Sequence, residues 1–242
     1  MSFIELQNVT KTFQAGEENY PAVRGVSLGI VSGEFVAVMG PSGSGKSTLL
    51  SLIGGLSRAT GGSVTVDGID LGSLGPDKLS DFRREYLGFV FQSFYLVPYL
   101  TAVENVMLPL TVQPGVNGTA RGAALEALRK VGLDAKAGRL QSQLSGGEQE
   151  RVAIARAIVN KPPVILADEP TGNLDTRTGD HVLDMLKDLH REGHTIVMVT
   201  HNIDNAKRAE RTIEIRDGQV VGQHNAEFGL RNEEWEVRNR RA

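Results

Sequence analysis

The sequence predicts an α/β protein with a parallel-sheet core, an antiparallel β lobe and a helical lobe. Three observations carry this. Phe35-Val36-Ala37-Val38-Met39 is an unbroken apolar run that leads into Gly40-Pro41-Ser42-Gly43-Ser44-Gly45-Lys46-Ser47-Thr48. Leu49, Leu50, Leu52 and Ile53 follow, which gives the order strand, loop, helix. A second apolar run, Val164-Ile165-Leu166-Ala167, ends in Asp168-Glu169-Pro170, and a third covers 195–199. Strands that read as continuous apolar runs, with helices between them, belong to sheets covered on both faces.

The remaining elements follow in order. Residues 3–9 and 26–31 alternate and read as strands, with a long loop before Pro21, and Ser63-Val64-Thr65-Val66 adds another strand. These form the antiparallel lobe. Residues 35–60 and 158–204 carry the parallel β–α units, and residues from Leu87 to Leu140 form an inserted helical region. Within it, 119–131 is a helix with Leu125, Leu128 and Val131 on one face, stopped by Gly132. Residues 177–192 form another, with Val182, Leu183, Leu186 and Leu189 at helical spacing and Gly193 as the cap. Asp217-Gly218, between Ile213-Glu214-Ile215 and Val220-Val221, is a hairpin turn. Residues 1–222 thus read as one domain, with the helical lobe at 87–157. Residues 223–242 are polar, carry Trp235, and read as a mobile tail or one short helix.

The loop after the first apolar run fits the phosphate-binding pattern G-x-x-x-x-G-K-[ST]. Gly40, Gly43 and Gly45 free the backbone so that successive N–H groups can form an anion-binding nest. Lys46 brings a positive charge to the β- and γ-phosphates of a nucleotide, Ser47 offers a hydroxyl to Mg²⁺, and the helix that opens here favours anions at its start. Asp168 and Glu169 stand at the carboxyl end of a parallel strand, the edge at which α/β sheets bind ligands. Asp168 is placed to hold Mg²⁺ through its waters, and Glu169 to polarise the attacking water. Leu144-Ser145-Gly146-Gly147-Glu148-Gln149 supplies an N-cap and two glycines that leave N–H groups uncovered, a second phosphate site.

Together these motifs resemble the nucleotide-binding subunit of an ATP-binding cassette (ABC) transporter, over about Phe3 to Gly222. Leu144 to Gln149 resembles the family's signature motif. Gln92, in Val90-Phe91-Gln92, stands where the family has its Q-loop glutamine, a ligand of Mg²⁺. Gly172-Asn173-Leu174-Asp175 matches the D-loop, and His201, after the strand at 195–199, matches the switch histidine. Phe13 stands where the family stacks an aromatic ring on adenine, with Tyr20 as a rival. The resemblance implies two ATP and Mg²⁺ held between two copies, Ser145, Gly146 and Gly147 of one copy completing the site of the other. Asp175 would link the two sites. It also implies a permease on a separate chain and a place on the cytoplasmic face of the membrane. Ser93 to Leu100 would receive a short helix from that permease, or would pack inside the helical lobe.

Thr171-Gly172-Asn173-Leu174-Asp175 and the stretch from Phe91 to Pro109 resemble the macrolide-export and lipoprotein-release branch, with a cell-division branch nearby. The implied function is powering the export or extraction of a membrane-associated substrate. The alternative is a non-transporting ATPase that regulates a cell-division or cell-wall complex. Glu150 departs from that branch, which usually has Gln; as a charge in the first helical turn it suits the helix dipole.

Composition bounds the rest. The 242 residues carry a net charge of −3 with no Lys/Arg-rich run, which argues against a nucleic-acid partner. There is no cysteine, so disulfides and thiolate metal sites are excluded. The N-terminus lacks a signal-peptide pattern, and no apolar run approaches the roughly 18 residues of a membrane span.

Overall fold

The computed structural model describes residues 2–16, 18–111 and 119–225. The strands are β1 (Ile4–Ala15), β2 (Glu18–Ile30), β3 (Phe35–Met39), β4 (Gly61–Val66), β5 (Ile69–Asp70), β6 (Leu87–Phe91), β7 (Val164–Asp168), β8 (Thr195–Thr200), β9 (Arg211–Arg216) and β10 (Gln219–Asn225). The helices are α1 (Lys46–Ile53), α2 (Pro76–Tyr86), α3 (Ala102–Met107), α4 (Ala120–Lys130), α5 (Gly146–Ile158), α6 (Thr176–Arg191) and α7 (Ile203–Ala206). Two compact units result: Met1–Gly72 with the chain from Val197 onward, and Ser73–Ile196.

In the first unit, β2-β1-β4-β5 form an antiparallel sheet. Its buried side chains, among them Ile4, Leu6, Val26, Ile30 and Val66, share a core with Leu49, Leu52 and Ile53 of α1. Each such side chain contributes about 1.5–3 kcal/mol on full burial. The stretch expected as a long loop before Pro21 is instead a hairpin. β1 and β2 pair almost to the tip, with Phe13 opposite Tyr20 and Gln14 opposite Asn19. Residues 18–21 are exposed, so no apolar face marked the strand in the sequence.

β3 is buried along its whole length and pairs parallel with β9, from Val36↔Arg211 to Met39↔Glu214. β9 returns as β10 through Asp217 and Gly218, both at positive φ, as a two-residue hairpin turn requires. β10 continues through Asn225, past the Gly222 boundary expected for the domain. The expectation of a tail or short helix with Trp235 otherwise falls outside the described residues.

In the second unit, α2 runs directly into β6, and neither was expected. β6 lies inside the region read as helical. It pairs parallel with β7, from Leu87↔Val164 to Phe91↔Asp168. α3, α4 and α5 pack on one another, and α5 also packs on β6 and α6. α4 buries Ala120, Ala124, Ala127 and Leu128, while Leu125 is exposed. The expected face through Leu125 is corrected: the stripe at i, i+4, i+7, i+8 is built mostly from alanines, and Leu125 lies off it. α6 buries Val182, Leu183, Leu186 and Leu189 as expected, and Gly193 follows its end at φ 100°.

Candidate active site

In the first unit the loop between β3 and α1 is built from its own backbone. Lys46 is buried, and its ammonium donates to the carbonyls of Gly40 and Pro41, both at 2.8 Å. The positive charge is thus folded over the loop at the start of α1. Two glycines are demanded by close approach: a side chain on Gly40 would run into the Ile215 carbonyl and the Ser44 hydroxyl, and one on Gly45 into the Ala22 carbonyl. Ser44 is buried, and its carbonyl accepts from the Gly218 N–H at 3.0 Å, tying the loop to the β9–β10 turn. Pro41, Ser42, Gly43 and Ser47 are exposed and Thr48 is half-buried, so the rim of the nest opens outward.

Phe13 and Tyr20 are directly opposed across the β1–β2 hairpin, so both rings leave the same face. Both are exposed, and the Lys11 ammonium lies 4.9 Å from the centre of the Phe13 ring. The two candidates for an aromatic platform are neighbours rather than alternatives. His201 follows β8 and is exposed. Next to it Asn202 caps α7, accepting from Asp204 N–H at 2.8 Å.

In the second unit, Phe91 and Asp168 are register partners at the ends of β6 and β7. Gln92 and Glu169 therefore leave adjacent strand ends side by side. Glu169 takes a left-handed backbone, φ 47°, and its carbonyl accepts from Gly172 N–H at 3.0 Å. The Gln92 side chain lies against Gly172, where a Cβ would come within 2.7 Å of Nε2. Asn173 donates to the Gln92 carbonyl at 2.7 Å. The Gly172-Asn173 turn thus holds Gln92 by backbone and side chain together, a contact between distant segments that neither motif announces.

Asp175 caps α6, accepting from the Thr178 hydroxyl at 2.6 Å and the Thr178 N–H at 3.0 Å. The hydroxyl first, then the N–H, hold its carboxyl below the usual range. Ser145 precedes α5, and the Glu148 carboxylate accepts from its N–H at 2.9 Å. Lys136, which pairs with Glu148, and then this N–H lower the Glu148 pKa. Gly147 faces the Thr178 methyl with no room for a Cβ, and Gly146 faces Leu174. The starts of α5 and α6 are thereby packed together. Ser145 and Gly146, at the start of α5, are exposed.

Glu150 contradicts its expectation. α5 begins at Gly146, so Glu150 lies beyond the first turn, whose acid is Glu148. Its side chain is fully buried, and neither carboxyl oxygen has a hydrogen-bond partner among the described residues. Burial pushes its pKa up to about 8, against the opposing pull of Arg156. It is a neutral acid in the core of the unit, not a charge serving the helix dipole.

Ser47 in the first unit, and Gln92 and Asp168 in the second, each carry a side-chain oxygen of the kind Mg²⁺ accepts, and among the described residues no group of three or more His, Cys, Asp or Glu side chains is arranged to hold a metal. Mg²⁺ is commonly bound in this way, by one or two side chains plus phosphate oxygens.

The family model described as ABC transporter matches residues 23–172. An uncharacterized ABC transporter ATP-binding protein of Bacillus subtilis, YvrO, is 49% identical over 218 residues, covering 90% of this chain and 95% of that protein. MJ0796 of Methanocaldococcus jannaschii, described in the same words, is 51% identical over 222 residues, covering 90% and 94%. The macrolide export ATP-binding/permease protein MacB of Mannheimia succiniciproducens is 48% identical over 222 residues. That match covers 91% of this chain but 34% of MacB. A dimeric structure of MJ0796 in a post-hydrolysis state, bound to ADP and Pi, superposes with a TM-score of 0.84 at 47% identity. It covers 92% of this chain and 98% of that one. A family model spanning most of the chain, and relatives this similar along nearly its whole length, place the protein in the ABC transporter family as an ATP-binding ATPase.

Proposed function

We propose that this cassette closes as a homodimer around two MgATP and drives a permease carried on a separate chain, from the cytoplasmic face of the membrane. The described residues through the end of β10 form the cassette, with α3, α4 and α5 as its helical lobe. The observation that carries the reading is the register pair Phe91↔Asp168, which sets Gln92 and Glu169 at adjacent strand ends beside Asp168. An amide, a metal-binding carboxylate and a base are what hydrolysis at a γ-phosphate asks for. The dimer reading is supported by the exposed α5 start at Ser145 and Gly146, and by the dimeric structures of MJ0796.

Each residue has a role in that reading. Lys46 and the backbone N–H groups of the loop from Gly40 to Thr48, Pro41 excepted, would hold the phosphates. Phe13, with Tyr20 beside it, would meet the adenine. Ser47, Gln92 and Asp168 would hold Mg²⁺, which would neutralise charge on the phosphates. Glu169 orients water and takes its proton, and His201 contacts the γ-phosphate. Ser145, Gly146 and Gly147 of the second copy close the site, and Asp175 links the two sites through α6. Catalysis of this kind is positioning and charge neutralisation.

The permease reading is supported by MacB, whose name joins an ATP-binding and a permease part. Among the described residues no helix of this chain is long and apolar enough to cross a membrane. The segment after Gln92 presents Tyr95 and Tyr99, 66% and 81% exposed, while Leu96 is buried beneath it. That segment is both a surface for a partner helix and part of the core. In the macrolide-export and lipoprotein-release branch, the substrate would lie in the membrane or be drawn from it.

Glu169→Gln tests the dimer. It is expected to bind MgATP, to hydrolyse it at least about 100-fold more slowly, and to elute as a dimer with ATP and a monomer without it. A monomer at saturating ATP would refute the proposal. Tyr99→Glu tests the docking surface by setting a charge where an apolar partner would bury it. Loss of co-purification with the permease is expected, and undiminished co-purification would move the surface elsewhere.

A further inference from the structure

Arg156, near the end of α5, reaches out of its helix to an irregular segment. One guanidinium nitrogen donates to the Tyr95 carbonyl and the other to the Phe94 carbonyl, both at 2.6 Å. The planar guanidinium offers both donors in one rigid fork, a geometry that the single ammonium of lysine does not preset. The two residues it grips are unusual. Phe94 and Tyr95 are consecutive aromatic residues at φ 58° and 47°, a left-handed backbone that bulky side chains rarely take. Backbone of this kind persists only where its surroundings over-determine it. Here the surroundings are the Arg156 fork, the Phe94 N–H to Phe91 carbonyl bond at 3.0 Å, and the edge of the Tyr95 ring against Phe91.

The turn begins right after Gln92. On its other side Gln92 is held by Asn173 through its carbonyl and by Gly172 along its side chain. The glutamine is therefore fixed from two directions, and one of them ends on Arg156. The helix that carries Arg156 opens at Ser145, so a rigid rod joins the phosphate-gripping end to the turn. We propose that Arg156 is a positioning residue for ATP hydrolysis: its fork holds the Phe94-Tyr95 turn in its left-handed form, and through that turn sets the placement of Gln92. This rests on the role proposed above for Gln92. Partial burial, which lowers the Arg156 pKa, has drawn the guanidinium from water, so the two carbonyls replace solvent that it has lost.

The test is a double-mutant cycle on steady-state ATP hydrolysis by the full chain, with Mg²⁺ titrated. Arg156→Ala is expected to lower kcat about 10-fold with less than about a threefold change in KM for ATP, because a misplaced group costs rate rather than affinity. It should also raise the Mg²⁺ concentration needed for half-maximal rate, in the same direction as Gln92→Ala. A loss of stability alone would not produce that shift. Arg156→Lys keeps the charge and stem but not the fork, and should recover less than half of the lost rate. In the Gln92→Ala background, Arg156→Ala should cost less than about twofold more. Multiplicative losses would overturn the proposal while leaving Gln92 its role. Gln92→Ala at wild-type kcat and Mg²⁺ dependence would remove that role and this inference with it. If Arg156→Ala does not fold, the cycle is run with Arg156→Lys, and wild-type rate in that variant overturns the proposal.

Discussion

The phosphate loop and the segment after Gln92 both leave the end of a buried parallel strand, and both are irregular, yet they are held in opposite ways. The loop of Gly40 to Thr48 is shaped mainly by its own residues, with one backbone bond from the Gly218 N–H to the Ser44 carbonyl. Lys46 bonds carbonyls six and five residues back, and glycines give the backbone its room. The segment of Ser93 to Leu100 is held by side chains from elsewhere. Arg156 grips it from 61 and 62 residues away, and buried Asn105 bonds Val97, Leu100 and Thr101. One stretch is fixed mainly by its own residues set against neighbouring backbone, the other by side chains from outside it.

The largest expected effect comes from removing the room in the first stretch. Gly40→Ala would set a methyl group against the Ile215 carbonyl and the Ser44 hydroxyl. Backbone cannot retreat cheaply there, because β3 and β9 are paired along this edge. Nucleotide affinity should fall at least about 100-fold, close to 3 kcal/mol, by fluorescent-nucleotide titration. Affinity within a few-fold of wild type would mean that the loop relaxes, and that close backbone approach does not fix its shape.

Asn105→Ala strikes the second stretch. Asn105 is 1% exposed; it accepts from Val97 N–H at 2.7 Å and donates to three carbonyls at 3.1–3.2 Å. The variant leaves those groups buried without it, which costs on the order of 2–4 kcal/mol. Thermal unfolding should shift down by roughly 5–10 °C. Nucleotide affinity, measured without Mg²⁺, should stay within about threefold, since the phosphate loop does not depend on this contact. An affinity loss as large as that of Gly40→Ala would break the distinction between the two stretches.

The same distinction governs what could be read from the sequence. The strand before Gly40, the turn at Asp217-Gly218 and the α6 stripe through Val182, Leu186 and Leu189 were all legible, because each signal lies within a few residues of its effect. Gln92 was singled out by resemblance, and Asp168 and the signature glycines also by strand-end and cap chemistry, but the packing of Gln92 on Gly172 and of Gly147 on Thr178 was not legible. α2 was missed because only Leu79 and Phe82 are buried on an otherwise charged helix. β6 was missed because it follows α2 with no turn between them. The β1–β2 hairpin was hidden by its exposed tip. Glu150 was read as a charge serving the helix dipole and Arg156 drew no reading, since nothing nearby in sequence tells which face of α5 the rest of the unit will cover.

Glu150 offers the smallest effect at neutral pH and a signature in its pH dependence. A carboxyl raised to about 8 keeps its proton in the folded protein while the unfolded chain releases it near the ordinary value of 4.5. Between those values the folded state binds more protons than the unfolded one, so its stability falls as pH rises. The fall should begin near pH 4.5 and level off above 8, and amount to a few kcal/mol in all. Glu150→Gln removes the titration but still buries an unsatisfied amide, so its net gain at pH 7 should be only about 1 kcal/mol. Melting curves at pH 5, 6.5 and 8 separate the two effects. The gap between Glu150→Gln and the wild type should widen with pH in favour of the variant, reaching several degrees by pH 8. Parallel curves would mean that the carboxyl finds a partner or water in the core, and that α5 carries no buried neutral acid beside Arg156.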